Sequence, residues 1–150
     1  MSTVTIRAIN DAIATTLGTA TGMKVTHSYD ELKEGIGPGD MPLLQVYFES
    51  IDCDKDVETE RTTFQGKVRT KTLTYHADIY CRTRSNIGED MAKTLEMTDT
   101  VVDIFETLDI KEYFSLEGIK AFDWRADRVV FEYAGAQFMG VRFVITITVF

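Results

Sequence analysis

The feature that most constrains the fold is a long run of alternating apolar and polar residues near the end of the sequence. The apolar positions are Met139, Val141, Phe143, Ile145, Ile147 and Val149, and the polar positions between them include Arg142, Thr146 and Thr148. Side chains on a β-strand point alternately to its two sides, so this run predicts one strand with a buried side and a polar side. A strand of this length has to be held inside a sheet that covers a hydrophobic core.

More strands are predicted immediately before this run. Phe122 and Trp124 share one face of a first strand, residues 126–128 form a predicted turn, and residues 134–136 form a predicted bend. Between the turn and the bend, a second strand carries Val129, Phe131 and Tyr133 on one face. Together with the last strand, these segments predict a β-meander.

The same alternation predicts two strands earlier in the chain. Residues 43–49 place Leu44, Val46 and Phe48 on one face. Residues 73–81 place Leu73, Tyr75, Ala77, Ile79 and Cys81 on one face and Thr74, His76, Asp78 and Tyr80 on the other. An extended hairpin is predicted across Gln65 and Gly66, and a short strand at residues 24–27.

Two amphipathic helices complete the pattern. The first spans residues 3–17, ends at Gly18, and repeats Ile6, Ile9, Ile13 and Leu17 at intervals of three and four. The second begins at Asn86 as N-cap, with Glu89 at the capping-box position, and runs to about Leu108. Its predicted apolar stripe is Ile87, Met91, Leu95, Thr98, Val102 and Phe105.

This element order predicts the class of fold. We expect one α+β domain over residues 1–150, with a mainly antiparallel sheet, two helices packed on one face, and an extended hairpin. A chain of 150 residues matches the usual size of one domain and can bury an ordinary hydrophobic core.

Composition narrows the possible functions. The chain carries 24 acidic and 16 basic side chains, a formal net charge of −8, which disfavours sequence-general binding to nucleic-acid phosphates. No apolar run is long enough to span a membrane, and the first residues lack the pattern of a signal peptide. The two cysteines, Cys53 and Cys81, are too few for a disulfide framework, so we expect intracellular synthesis and a buried, apolar role for Cys81.

The sequence carries no motif typical of an enzyme, and we expect neither a catalytic site, a cofactor nor a metal. A nucleophile elbow, a P-loop, a zinc-protease helix and a paired Cys-x-x-Cys are all missing. His76 and Asp78 lie two positions apart on one strand face, which is more typical of a solvated sheet than of a catalytic pair. A zinc site would require His27, His76, Cys53 and Cys81 to converge from scattered positions.

Two adjoining segments of opposite charge are the best candidates for a binding surface. Acidic residues dominate from Glu49 to Glu60, and basic residues dominate from Arg61 to Arg84. The predicted interface residues are Asp52, Asp54, Asp56, Glu58, Arg61, Lys67, Arg69 and Lys71. These charges can pair across strands within one chain, which is the commoner arrangement, or between chains. Pairing between chains would give a head-to-tail contact that closes into a ring or continues as a filament.

A second candidate surface is the loop of residues 35–42. Its three glycines and two prolines in eight positions exclude both helix and strand. The loop carries two apolar side chains, Ile36 and Met41. They either fold back onto the domain or serve as a docking surface for a partner.

Several local patterns also occur in an order that resembles that of a known family. A short helix and a Pro-containing loop precede the strand at 43–48. Residues 73–82 (LTYHADIYCR) lead through 84–91 (RSNIGEDM) into the second helix, and 131–135 (FEYAG) precedes Phe138, Gly140, Val141 and Phe143 in the last strand. This combination covers nearly the whole chain and resembles the tail-terminator (tail-completion) proteins of long-tailed bacteriophages.

The resemblance implies an α+β virion protein that assembles in the host cytoplasm as a homohexameric ring. Such a ring caps the tail tube, ends tail polymerisation and provides the surface for head–tail joining. Its partners would be the tail tube protein and a head connector or neck protein, with DNA passing through the channel without specific binding. Ile36 and Met41 would then belong to a loop that docks on the tube or the head.

Two alternative functions follow from the same residues. Neck and head-completion adaptors of phages share this pattern of elements, and such a protein would bind the head side without touching the tube. A small metal-dependent enzyme would use His76 and Asp78 together with the acidic segment.

Overall fold

The computed structural model describes residues 5–28, 41–53, 62–63, 66–67, 71–83, 87–108, 116, 118–133 and 135–149. Over these ranges the chain contains two helices, α1 (Ile6–Leu17) and α2 (Ile87–Thr107). The strands are β1 (Val25–His27), β2 (Leu43–Cys53), β3 (Thr62–Thr63), β4 (Gly66–Lys67), β5 (Lys71–Thr83), β6 (Ile119–Tyr133) and β7 (Ala136–Val149).

Five of these strands form one open sheet in the order β1-β2-β5-β7-β6. β1 runs parallel to β2, and all the other neighbours are antiparallel. The predicted α+β class with a mainly antiparallel sheet is therefore confirmed. β3 and β4 pair as a separate two-stranded ladder in which Thr63 lies opposite Gly66, so Gly66 belongs to a strand and not to the turn where it was predicted.

Both helices pack on the same face of the sheet, as predicted. Ile9, Ile13 and Leu17 of α1 are fully buried in the core, and α1 lies mainly over β2. α2 lies over β5 and β7, where the Phe105 ring centroid is 5.3 Å from that of Phe143 and 5.2 Å from that of Trp124. Stacked and tilted ring pairs at these distances add to the stabilisation from apolar burial.

The ends of α1 follow from its sequence. Thr5 has extended backbone, and its hydroxyl oxygen accepts a hydrogen bond from the Ala8 amide at 3.1 Å, as an N-cap does. Gly18 is the C-cap, as predicted, and its amide donates to the carbonyl of Ala14 at 2.8 Å. The Tyr75 hydroxyl of β5 donates to the carbonyl of Ile6 at 2.9 Å and so fixes the first turn of the helix on the sheet.

The buried stripe of α2 differs from the predicted one. The core-facing residues include Thr94, Met97, Val101 and Phe105, whereas Leu95 is 58% exposed. Both sets repeat at intervals of three and four and share Phe105. Elsewhere the buried line is offset by one residue from the predicted one and follows Thr94, Met97 and Val101. The predicted cap at Asn86 lies outside the described residues.

The predicted turn at residues 126–128 is wrong. β6 continues through these positions, with Ala126 opposite Phe143 and Asp127 opposite Arg142 of β7. Asp127 and Arg128 suggested a break in the strand, but one side of this sheet carries polar residues and can accept a charge without a turn. The predicted meander is thus one long hairpin, whose connection includes Gly135 at φ +79°.

Gly140 of β7 provides a direct test of the packing between β5, β6 and β7. A methyl group at this position would lie 2.1 Å from the Ile79 carbonyl oxygen and 2.6 Å from a ring carbon of Phe131. We expect Gly140→Ala to lower the free energy of unfolding by about 3 kcal/mol, because the strands would have to move apart. Gly135→Ala is the control: its positive φ is strained, but open space surrounds it, so a loss of about 1 kcal/mol is expected. Equal losses in urea denaturation would contradict this account.

Candidate functional site

Two residues of the predicted charged interface have described side chains, and both lie at one end of the β2–β5 pair. Asp52 lies opposite Thr72, and Lys71 lies opposite Cys53. Both charged residues are exposed. Asp54, Asp56, Glu58, Arg61 and Arg69 lie outside the described residues, and only the backbone of Lys67, in β4, is described.

The register separates these two charges. Residues that lie opposite each other in an antiparallel pair share a face, and successive residues alternate between faces. Asp52 therefore shares a face with Thr72, and Lys71 leaves the sheet on the other side. This arrangement does not favour direct pairing of Asp52 with Lys71 inside one chain, and it leaves an acidic group on one side and a basic group on the other.

The apolar docking residues are not both at the surface. Ile36 lies outside the described residues. Met41 is only 7% exposed and packs in a small cluster with Leu43, Tyr80, Phe131 and Phe138. The prediction that Met41 is an exposed docking group is corrected accordingly, because this cluster, on the sheet face opposite the helices, offers its side chain an apolar site.

That face also carries a polar cluster, formed by Tyr47 of β2, His76 and Asp78 of β5, and Arg142 of β7. Asp78 Oδ1 accepts from Arg142 Nε at 2.7 Å, and Asp78 Oδ2 accepts from Arg142 Nη2 at 3.1 Å and from the Tyr47 hydroxyl at 2.9 Å. The Asp78 side chain is 4% exposed and that of Arg142 is 32% exposed. The cluster therefore connects three adjacent strands through one buried carboxylate.

His76 contacts this network through the Tyr47 hydroxyl. Arg142 Nη2 donates a hydrogen bond to the Tyr47 oxygen at 3.2 Å, and the Tyr47 hydroxyl donates its own hydrogen bond to Asp78. His76 Nδ1 lies 3.2 Å from the Tyr47 oxygen and 3.8 Å from Glu49 Oε2. Hydrogen bonding to Asp78, assisted by the charge of that carboxylate, raises the pKa of Arg142 above its ordinary range.

This geometry bears on the metal-enzyme alternative. Both oxygens of Asp78 accept from a guanidinium or a hydroxyl, so the carboxylate has little capacity left for a metal ion. His76 and Cys81 lie on opposite faces of β5, and Cys53 is exposed at the end of β2, so the zinc set considered above does not converge. In the part of the chain that the structure describes, no three His, Cys, Asp or Glu side chains group as metal ligands would.

Sequence reasoning identified His76 and Asp78 but missed Tyr47 and Arg142 as their partners. They could have been found from one pattern: β2, β5 and β7 each carry a polar residue between their core-facing apolar positions. That pattern becomes specific only when the register is known, since Arg142 must lie opposite Asp78 and not opposite His76.

Neither helix within the described ranges is long and apolar enough to cross a bilayer. No protein-family model matches the chain, and no curated protein is significantly similar to it.

Removing Arg142 should be far more costly than removing an exposed arginine. Arg142→Leu leaves the Asp78 carboxylate buried without its cationic partner, so we expect a loss of about 3 kcal/mol or more in unfolding free energy. Tyr47→Phe removes one hydrogen bond to a charged group and should cost about 1.5–3 kcal/mol. The control is Arg7→Leu on α1, whose side chain is 93% exposed and which should change stability by less than about 0.5 kcal/mol. Similar values for Arg142→Leu and Arg7→Leu would contradict the proposed role of the cluster.

The two cysteines should differ sharply in reactivity. Cys53 is exposed, whereas Cys81 is buried and its pKa is raised by burial from the ordinary 9.0 to about 12, with a hydrogen bond from Thr94 opposing the shift. A thiol reagent at pH 8 should modify Cys53 in the folded protein and Cys81 only after unfolding. The folded state binds the Cys81 proton more tightly than the unfolded state does. The resulting contribution to the free energy of unfolding is fully present below pH 9 and is lost as the pH rises toward 12. Equal modification rates for Cys53→Ser and Cys81→Ser proteins would contradict this prediction.

Proposed function

We propose that this chain is a structural virion protein of the tail-terminator type, which forms a homohexameric ring at the junction of a phage tail and head. The resemblance of the sequence suggests the function, and the α+β architecture is of the class that the resemblance implies. The observation that best supports a ring is the position of Asp52 and Lys71, which are exposed on opposite sides at one end of the sheet.

A subunit with acid on one side and base on the other can join head to tail. The acidic side of one copy meets the basic side of the next, and because donor and acceptor surfaces differ, the contact repeats until a ring closes. Complementary charges of this kind set the orientation and speed of association more than its strength. Tight closure would therefore need contacts beyond these charges, and the tail tube is the proposed scaffold that supplies them.

The overall charge suits the passage of DNA. At a formal net charge of −8, the ring would repel the phosphate backbone rather than hold it. One face of the ring would bind the last ring of tail tube protein and end polymerisation, and the other would bind the head connector or neck protein.

Charge reversal on each side, followed by mixing, tests the ring contact. One variant carries Asp52→Lys, Asp54→Lys and Asp56→Lys, and the other carries Lys67→Glu, Arg69→Glu and Lys71→Glu. Each variant alone places like charges at every contact, so we expect its assembly to weaken at least about tenfold. In an equal mixture every contact between unlike variants is complementary again, and rings of alternating subunits should reappear in sedimentation velocity.

A variant with Glu96→Lys, Asp99→Lys and Asp103→Lys on the exposed side of α2 is the matched control for change in net charge, and it should assemble normally. If the charges pair within one chain instead, each reversal would lower the melting temperature without changing the mass, and mixing would have no effect. Assembly that is unaffected by either reversal would exclude the charged segments as the contact.

A further inference from the structure

The outer edge of β6 is the longest strand edge that lacks a partner among the described residues. The strand runs for 15 residues, and β7 is the one described strand that pairs with it. Neither proline nor glycine interrupts β6, and its register irregularity lies at its start, between Ile119 and Ala121. Proteins usually protect such an edge with prolines, bulges, charged side chains or a covering element, because its unpaired backbone groups are a template for another strand. β6 carries charged side chains, and its edge can pair only in a register where these charges attract each other.

We propose that this edge pairs with the same edge of a second copy, so that two β6 strands run antiparallel about a two-fold axis at Ala126. This register pairs residues 121–131 of one copy with the same residues of the other, over the part of β6 that follows its register irregularity. The contact joins two five-stranded sheets into one continuous sheet.

The charges of β6 select this register. Arg125 lies opposite Asp127 of the second copy, and the reciprocal pair lies beside it across the axis. In the monomer these two side chains are 70% and 50% exposed, and Arg125 Nε is 3.2 Å from Asp127 Oδ2 of its own chain. The dimer would therefore bring two such pairs together as a cluster of four alternating charges.

Neighbouring registers place like charges opposite each other. Residues that pair across the axis must share a face, so the register can shift only in steps that keep odd residues opposite odd residues. One such step puts Arg125 opposite itself and Asp123 opposite Asp127. The step in the other direction puts Asp127 opposite itself. Both are opposed by repulsion between like charges directly across the strands.

The helix-side face of β6 is complementary as well. Val130, which is 42% exposed, lies opposite Phe122, and Arg128 lies opposite Trp124. α2 also reaches β6 on this face: Phe105 stacks on Trp124 at 5.2 Å, and Arg128 Nη1 lies 3.0 Å from Met91 Sδ, so the charges on the other face carry the choice of register.

This contact goes beyond the proposed ring and does not depend on it. A two-fold contact is complete with two copies, and it uses the edge of the sheet that β5 and β7 separate from β2 and its charged end. The dimer should form in dilute protein without any tail tube, and loss of the dimer leaves the ring proposal to its own test.

Engineered cysteines test the register directly. In a Cys53→Ser background, Ala126→Cys places a thiol opposite its own copy, where directly opposed Cα atoms lie about 4.5–5.5 Å apart, within disulfide range. The matched control is Val130→Cys, whose thiols would be about 26 Å apart along the strands. We expect mild oxidation to link the Ala126→Cys protein into dimers of twice the 17.0 kDa chain mass and to leave the Val130→Cys protein monomeric on a denaturing gel.

Charge exchange provides the second measurement, by sedimentation equilibrium. Arg125→Asp puts like charges opposite each other twice and should weaken dimerisation at least about tenfold, while Arg125→Asp with Asp127→Arg restores complementarity and the dimer. Arg7→Asp at an exposed position of α1 makes the same change in net charge and is the control, and circular dichroism checks that each variant is folded. A wild-type protein that stays monomeric at millimolar concentration, or equal cross-linking at positions 126 and 130, would overturn the proposal.

Discussion

The structure depends on the pairing of β7 along both of its edges. β5 and β6 flank this strand over almost its whole length, and its core-side residues Val141, Phe143, Ile145 and Ile147 are buried almost completely. Because side chains alternate along a strand, this burial fixes the register of all three strands at once. The helices must then cover that face, and the polar residues of β7 are left on the other.

The opposite face shows how the same register organises polar groups. Arg142 lies one position from Phe143 and opposite Asp78, so the pairing that buries the core also brings guanidinium and carboxylate together. Tyr47 completes the cluster from β2. A buried ion pair of this kind contributes little net stability compared with apolar packing, but breaking it is costly, so it favours one register over its neighbours.

The sequence predicted the fold class, both helices, the core face of β5 and the strand of β7, because each depends on a local period that burial enforces. The prediction failed on α2, where two neighbouring lines of residues repeat at the same intervals and Leu95 was assigned to the buried one. It also failed at Asp127 and Arg128, where two charged residues inside a strand were taken for a turn. The partners of Asp78 and the burial of Met41 depend on contacts between distant segments, which local patterns do not contain. The function as a tail terminator remains a proposal that rests on resemblance and on the placement of charge.

Electron microscopy of this protein, incubated with purified phage tail tubes encoded by the same genome, tests the proposed tail-terminator function most directly. The account predicts a ring of protein at one end of each tube, and tubes assembled in its presence that stop growing. Protein that binds isolated heads while every tube end stays bare would instead identify a head-side adaptor. Protein that binds neither would contradict the assignment to the head–tail junction.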